Sequence, residues 1–141
     1  MQLLYKISAA IAVMFFAFIV WVIYMANTGT SSVFFDFIRS IPYGDKYGHV
    51  GLFGFLTLVS VIGFKFRSFS VGRLDIYYGA ALVVAFALLE ELSQAFIPSR
   101  TFELIDLAAD ATGISCACLI CFVVKRQLAK YDANEGEGSV V

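Results

Sequence analysis

The chain has 141 residues, 60% of them hydrophobic and 15% charged, with a formal net charge of −1 and a mean hydropathy of +0.84. A water-soluble domain of this length needs more charge to cover its surface, and near-neutrality supplies no basic field for a nucleic acid. Composition therefore excludes an ordinary soluble enzyme and a nucleic-acid binder, and leaves an integral membrane protein.

A spanning helix needs about 20 mostly apolar residues, with a range of about 17–25, and four segments qualify. Residues 7–26 carry no charge. Their run exceeds the roughly 7–15 residues of a signal-peptide core, and no A-x-A site follows, so they predict a retained first helix. Residues 48–64 contain His49 as their one ionisable group and predict a second, shorter helix. Residues 76–97 predict a third, interrupted late by Glu90 and Glu91, with Pro98 ending it because proline removes a donor and restricts its predecessor. Residues 104–124 predict a fourth, with Asp106 and Asp110 in its first turns.

The fold expected is thus an all-α integral membrane bundle of four transmembrane helices over residues 1–128. The polar, glycine-containing segment 129–141 reads as a disordered cytoplasmic tail. Lys6, Lys65, Arg67, Arg73, Lys125, Arg126 and Lys130 fall on one side of such a bundle, and Arg39, Lys46 and Arg100 on the other. The excess of Lys and Arg places the first set, with both termini, in the cytoplasm. Trp21, Tyr24, Tyr43 and Tyr47 then suit an aromatic belt at the outer interface.

This topology gathers the polar residues of three helices on the outer face. Ionisable groups are expensive in hydrocarbon, so such a gathering is a functional hypothesis by default. Asp45, Lys46 and His49 share a face if the second helix begins early. Gln94 lies three residues after Glu91 and four after Glu90, and Asp106 and Asp110 are four apart, both spacings that put side chains on one helical face. Lys46 and Arg100 suit an anion such as phosphate. His49 can act as acid, base or nucleophile, Glu91 can carry protons, and Asp106 can orient His49. The blander readings are that the Glu–Gln pair joins helices, that Asp106 complements the dipole at a helix start, and that Glu103 is an interfacial charge. Gly48, Gly51 and Gly54, like Ala109, Gly113 and Ala117, read as small-residue packing stripes. Cys116, Cys118 and Cys121 lack the paired spacing of a zinc site and read as filler. Neither a metal nor another cofactor is expected: no H-E-x-x-H or comparable motif is present, and Lys46 and Arg100 would compete with a cation.

Three ordered blocks carry a resemblance. They are Asp45-Lys46-Tyr47-Gly48-His49, the run from Glu91 through Gln94 and Pro98 to Arg100, and the run from Asp106 through Asp110 to Gly113. Together they resemble the VanZ-like family of bacterial membrane proteins, whose pattern reads approximately D-K-x-x-H, E-x-x-Q-x-x-x-P-x-R and D-x-x-x-N-x-x-G. The match covers about residues 45–113 and departs at Asp110, where the family usually has Asn. The resemblance implies a small helical bundle in the bacterial cytoplasmic (inner) membrane. The family takes its name from a member associated with teicoplanin resistance and has been linked to membrane domains that bind or modify lipid head groups.

Residues and resemblance together lead to the expectation of an outward-facing polar vestibule that binds and modifies a phosphate-linked lipid head group by hydrolysis or exchange. His49, Glu91 and Asp106 would be catalytic, and Asp45, Lys46, Gln94, Arg100 and Asp110 would bind the substrate. The alternative is a non-catalytic binder of a lipid or lipid-linked cell-wall precursor that influences glycopeptide susceptibility or envelope assembly. Either reading leaves homo-oligomerisation open.

Overall fold

The computed structural model describes residues 1–28, 37–38, 40–97 and 102–138, with side chains described as far as 131. Its long elements are α1 (Gln2–Asn27), α2 (Gly44–Gly63), β1 (Ser68–Val71), β2 (Leu74–Tyr77), α3 (Tyr78–Gln94) and α4 (Leu104–Gly138). The chain is mostly helical. The helices Gln2–Asn27 and Gly44–Gly63, and Leu104–Tyr131 within α4, are long and apolar enough to cross a membrane, the signature of a membrane protein.

Small residues decide how the helices meet. α2 is the central element and packs against α1, α3 and α4. At its crossing with α4, a Cβ on Gly113 would lie 2.3 Å from the Val50 carbonyl oxygen and 3.1 Å from the Gly54 nitrogen. The two backbones touch there, as small residues permit between membrane helices. Ala109 and Ala117, one turn to either side of Gly113, are buried. Gly79 does the same at the start of α3, where a Cβ would sit 2.6 Å from the Val61 nitrogen. Of the expected glycine stripe on α2, however, only Gly54 packs against described residues; none of these lies within 4 Å of a Cβ at Gly48 or Gly51. The core between the helices is built from Ile19, Phe53, Leu56, Val61, Val83, Ala87, Ile114 and Cys121. Phe53 and Phe86 pack with ring centroids 5.7 Å apart, and Phe86 meets Phe16 of α1 edge-on at 4.8 Å.

Several boundaries differ from expectation, α1 starting at Gln2 rather than 7 among them, and three matter for the architecture. α2 starts at Gly44 rather than 48, which brings Asp45 and Lys46 into its first turn. α3 starts at Tyr78 rather than 76, because an antiparallel hairpin precedes it, with Ser68 opposite Tyr77 and Val71 opposite Leu74. The two-residue turn uses Gly72 at φ +64°, a conformation glycine adopts at no steric cost. The third difference is α4, which continues without a break at residue 129 and reaches Gly138. The segment around that point, Lys125-Arg126-Gln127-Leu128-Ala129-Lys130, consists of good helix formers. At its other end α3 stops at Gln94 and winds on in three-residue hydrogen bonds, Phe96 to Ser93 and Ile97 to Gln94.

The turn out of α2 is held by its own aromatic. Lys65 and Phe66 both have left-handed backbones, at φ 57° and 55°. The Phe66 N–H donates to the Val61 carbonyl over 2.9 Å and the Phe66 ring is buried, so core packing offsets the local backbone cost.

Candidate functional site

The first turns of α2 and α4 lie side by side because of the Gly54–Gly113 contact, and the last turn of α3 closes on them. Asp110 stands three residues before Gly113, and His49 one residue before Val50, so the same close approach brings their side chains together. His49 Nδ1 and Asp110 Oδ1 are 2.9 Å apart. Asp110 is completely buried, whereas the His49 side chain keeps 17% exposure. The imidazole also stacks on Phe53, at 6.0 Å between centroids and 12° between planes.

With Asp110 ionised, its oxygen can only accept, so Nδ1 carries a proton, and in the neutral imidazole Nε2 is left with the lone pair. Among the described residues neither Nε2 nor Asp110 Oδ2 has a hydrogen-bond partner. Asp106 and Glu90 are also within electrostatic reach of the ring. An imidazole fixed by a buried carboxylate, with its second nitrogen available, is a unit suited to proton transfer or nucleophilic attack.

One helical turn nearer the end of the bundle lies an ion-pair cluster. Lys46 Nζ reaches Asp45 Oδ2 at 2.9 Å and Glu103 Oε2 at 2.6 Å, and contacts Asp106 Oδ1. An ammonium has three donors, and three carboxylates occupy its surroundings. The residue expected to receive a phosphate is therefore engaged within the protein. Asp106, expected to orient His49, is placed against Lys46, and Asp110 stands against the imidazole in its stead.

A third group ties α3 to the start of α4. The Gln94 side-chain amide donates to Glu90 Oε1 at 2.9 Å and to Glu91 Oε2 at 3.1 Å, while Glu91 Oε1 accepts from the Glu103 backbone N–H at 2.8 Å. Glu90, Glu91 and Gln94 are all buried. Hydrogen bonds of this kind are what make buried carboxylates tolerable. They also fix Glu91 in place as a bridge between the last turn of α3 and the residue before α4.

Asp45, Lys46, His49, Glu91, Gln94, Asp106 and Asp110 thus share one end of the bundle. Arg100 lies outside the described residues, as does Pro98. Two participants carried less weight in the sequence than they hold in the structure. Glu90 shares the Gln94 amide, which its four-residue spacing allowed, and Glu103 contributes both a carboxylate to Lys46 and a backbone donor to Glu91. Carboxyl groups outnumber cations among these residues. Among the described residues, no set of three or more His, Cys, Asp or Glu side chains could hold a metal ion.

Lys46→Met should show how much this pairing matters. It leaves Asp106, buried to 6% exposure, without its cation. Breaking a buried pair costs about 3–5 kcal/mol, and the residual exposure of Lys46 puts the expected loss at or below the low end of that range. The double variant Lys46→Met/Asp106→Leu should recover most of it, because the carboxylates that remain without a cation, Asp45 and Glu103, are exposed to water. Thermal unfolding in detergent, followed by circular dichroism, measures both; equal melting of Lys46→Met and wild type would show the cluster to be energetically idle.

Fold and site define a mostly helical protein of membrane-spanning character with an acidic, histidine-containing cluster at one end of its bundle. No family model, no curated protein and no solved structure matches the chain.

Proposed function

We propose that the protein acts at a membrane surface on a phosphate-linked lipid head group, by hydrolysis or exchange, with His49 as the catalytic base and Asp110 as the residue that positions it. The observation that carries this reading is the 2.9 Å pair between a fully buried carboxylate and a partly open imidazole. His49 Nε2 takes the proton of a water or acceptor hydroxyl, whose oxygen forms the new bond to phosphorus as the ester P–O bond breaks. The same proton then passes to the departing oxygen. Lys46, held by Asp45, Glu103 and Asp106, orders the entrance, and Arg100 is the cation assigned to the phosphate, through its planar fork. Gln94 and Glu91 hold the end of α3 to the start of α4. The resemblance to VanZ-like proteins supports the same class of substrate but not the Asp110 role, which rests on the geometry of this chain alone because the family usually has Asn there.

In this reading α3 is a fourth span. Its 17 residues reach about 25 Å at 1.5 Å per residue, and the winding through Ile97 adds to that. The termini lie in the cytoplasm and the His49 end faces outward across the bacterial inner membrane, as the Lys and Arg bias directs.

Mass spectrometry of a bacterial lipid extract, incubated with wild type and with His49→Ala, tests the proposal. A lipid consumed or a head group released by wild type alone is the expected result. A lipid retained by both proteins without turnover would replace the enzyme with a binding protein, and neither turnover nor retention would end both readings.

A further inference from the structure

The opposite end of the bundle carries a second feature that the His49 site does not use. Between the hairpin, the start of α3 and the far half of α4 runs a groove of about 840 Å³. Ile114, Leu119 and Phe122 give it an apolar wall, and Arg73, Lys125 and Arg126 stand along it. A second cleft, of about 680 Å³, adjoins it and is lined by Lys65 and Arg67; Lys125 lines both.

The two ends of the molecule treat their cations in opposite ways. At the His49 end Lys46 is engaged by carboxylates. At this end, among the described residues, no carboxylate forms an ion pair with Arg73, Lys125 or Arg126. Asp75, the one acid lining the groove, accepts a hydrogen bond from Ser70 Oγ at 2.6 Å across the hairpin. Lys125 is held in position by two weak contacts, to the Phe66 carbonyl at 3.4 Å and over the Tyr77 ring at 5.7 Å, which leave donors of its ammonium unspent. Arg126 lies over the Phe122 ring, 5.2 Å from its centroid, so its charge is carried at the boundary of the apolar wall.

The hairpin gives this end a depth. Strand alternation and the observed register put Phe69, Val71, Leu74 and Ile76 on one face, and Ser68, Ser70, Asp75 and Tyr77 on the other. Val71 and Leu74 are 56% and 70% exposed, an apolar tip beside Arg73. A two-stranded ribbon of this kind belongs at the boundary of hydrocarbon and head groups, where an apolar face and flanking cations are both satisfied. A ligand at that depth needs an anionic head beside Lys125 and an apolar tail along α4.

We propose that this groove binds an anionic phospholipid, with its phosphate at Lys125 and Arg126 and the first part of an acyl chain against Leu119 and Phe122. The phosphate position is separate from the His49–Asp110 pair by roughly 22 Å, the rise of α4 from Asp110 to Lys125, and does not depend on catalysis there.

Native mass spectrometry of the protein released from nanodiscs of equal phosphatidylglycerol and phosphatidylcholine tests it. Wild type should retain phosphatidylglycerol in preference. Each Lys or Arg at a membrane surface contributes roughly fivefold to attraction for anionic lipid, so Lys125→Gln/Arg126→Gln should lower the preference by about 10- to 30-fold. Lys6→Gln/Lys130→Gln removes the same charge from outside both clefts and should leave most of the preference intact. Equal losses in the two double variants would reduce the effect to diffuse surface charge and overturn the site. So would the absence of any preference in wild type, or displacement of the lipid by millimolar glycerol phosphate, which would show that no acyl contact is made. Circular dichroism of both variants distinguishes loss of the site from loss of the fold.

Discussion

Gly113→Ala should destabilise the protein by about 1–3 kcal/mol, and leucine at the same position by more, since overpacking of this kind forces backbone to move. The atom in the way of the added methyl is the Val50 carbonyl oxygen, 2.3 Å from where its carbon would lie, and a backbone carbonyl inside a helix has no rotamer to retreat into. α2 and α4 would have to separate, and the separation falls within one turn of the His49–Asp110 pair. Stability and any His49-dependent activity should therefore decline together. Gly48→Ala and Gly51→Ala supply the contrast. None of the described residues lies within 4 Å of a Cβ at either position, and alanine is favoured over glycine inside a helix by roughly 0.5–1 kcal/mol. These variants should melt at or above the wild-type temperature. Thermal unfolding of all three in one detergent decides the matter: if Gly113→Ala melts with wild type, the helices do not approach as closely as described.

The second large effect concerns Asp110. Asp110→Asn should lower head-group turnover by about 10²–10⁴-fold, the range that a positioned acid–base group contributes. The amide is nearly isosteric, so packing at this fully buried position is retained. It carries no charge to stabilise the imidazolium formed when His49 takes up a proton, and its NH₂ can hold the ring in the wrong tautomer. Because Asp110 acts through His49 rather than on the lipid, kcat should fall while KM stays near the wild-type value. Asp106→Asn should do the reverse, weakening the Lys46 cluster with little change in kcat. An unchanged kcat in Asp110→Asn would remove Asp110 from its positioning role and return attention to Asp106.

The convergence of the polar residues was readable because helix polarity is a simple constraint. Once successive helices run in opposite directions, the start of α2, the end of α3 and the start of α4 must lie at one end, and Asp45, Lys46, His49, Glu91, Gln94, Asp106 and Asp110 sit at those ends. Which carboxylate meets which cation was not readable. Asp106 and Asp110 are four residues apart on one face, so spacing alone allows either to reach His49. The hairpin was hidden for a different reason. Ser-Phe-Ser-Val and Leu-Asp-Ile-Tyr each alternate polar and apolar residues around Gly72-Arg73, which is a hairpin signal. Strands of four residues are short, however, and the apolar stretch beginning at residue 76 absorbed the second of them into a longer helix.

The sequence by itself determined the membrane character, the apolar helices, their polar ends and the kinds of chemistry those ends contain, because hydrophobic length and charge position are properties of the chain read locally. Only the tertiary structure decided that Lys46 is engaged by Asp45, Glu103 and Asp106, that Asp110 holds His49, and that Gly54 packs where Gly48 and Gly51 do not. Those outcomes depend on the rotation and separation of α2 against α4. Both are set by backbone contact at Gly113; the small-residue stripes mark the two helices for close packing, but which residues of the stripes meet depends on a pairing far apart in sequence that no local pattern encodes.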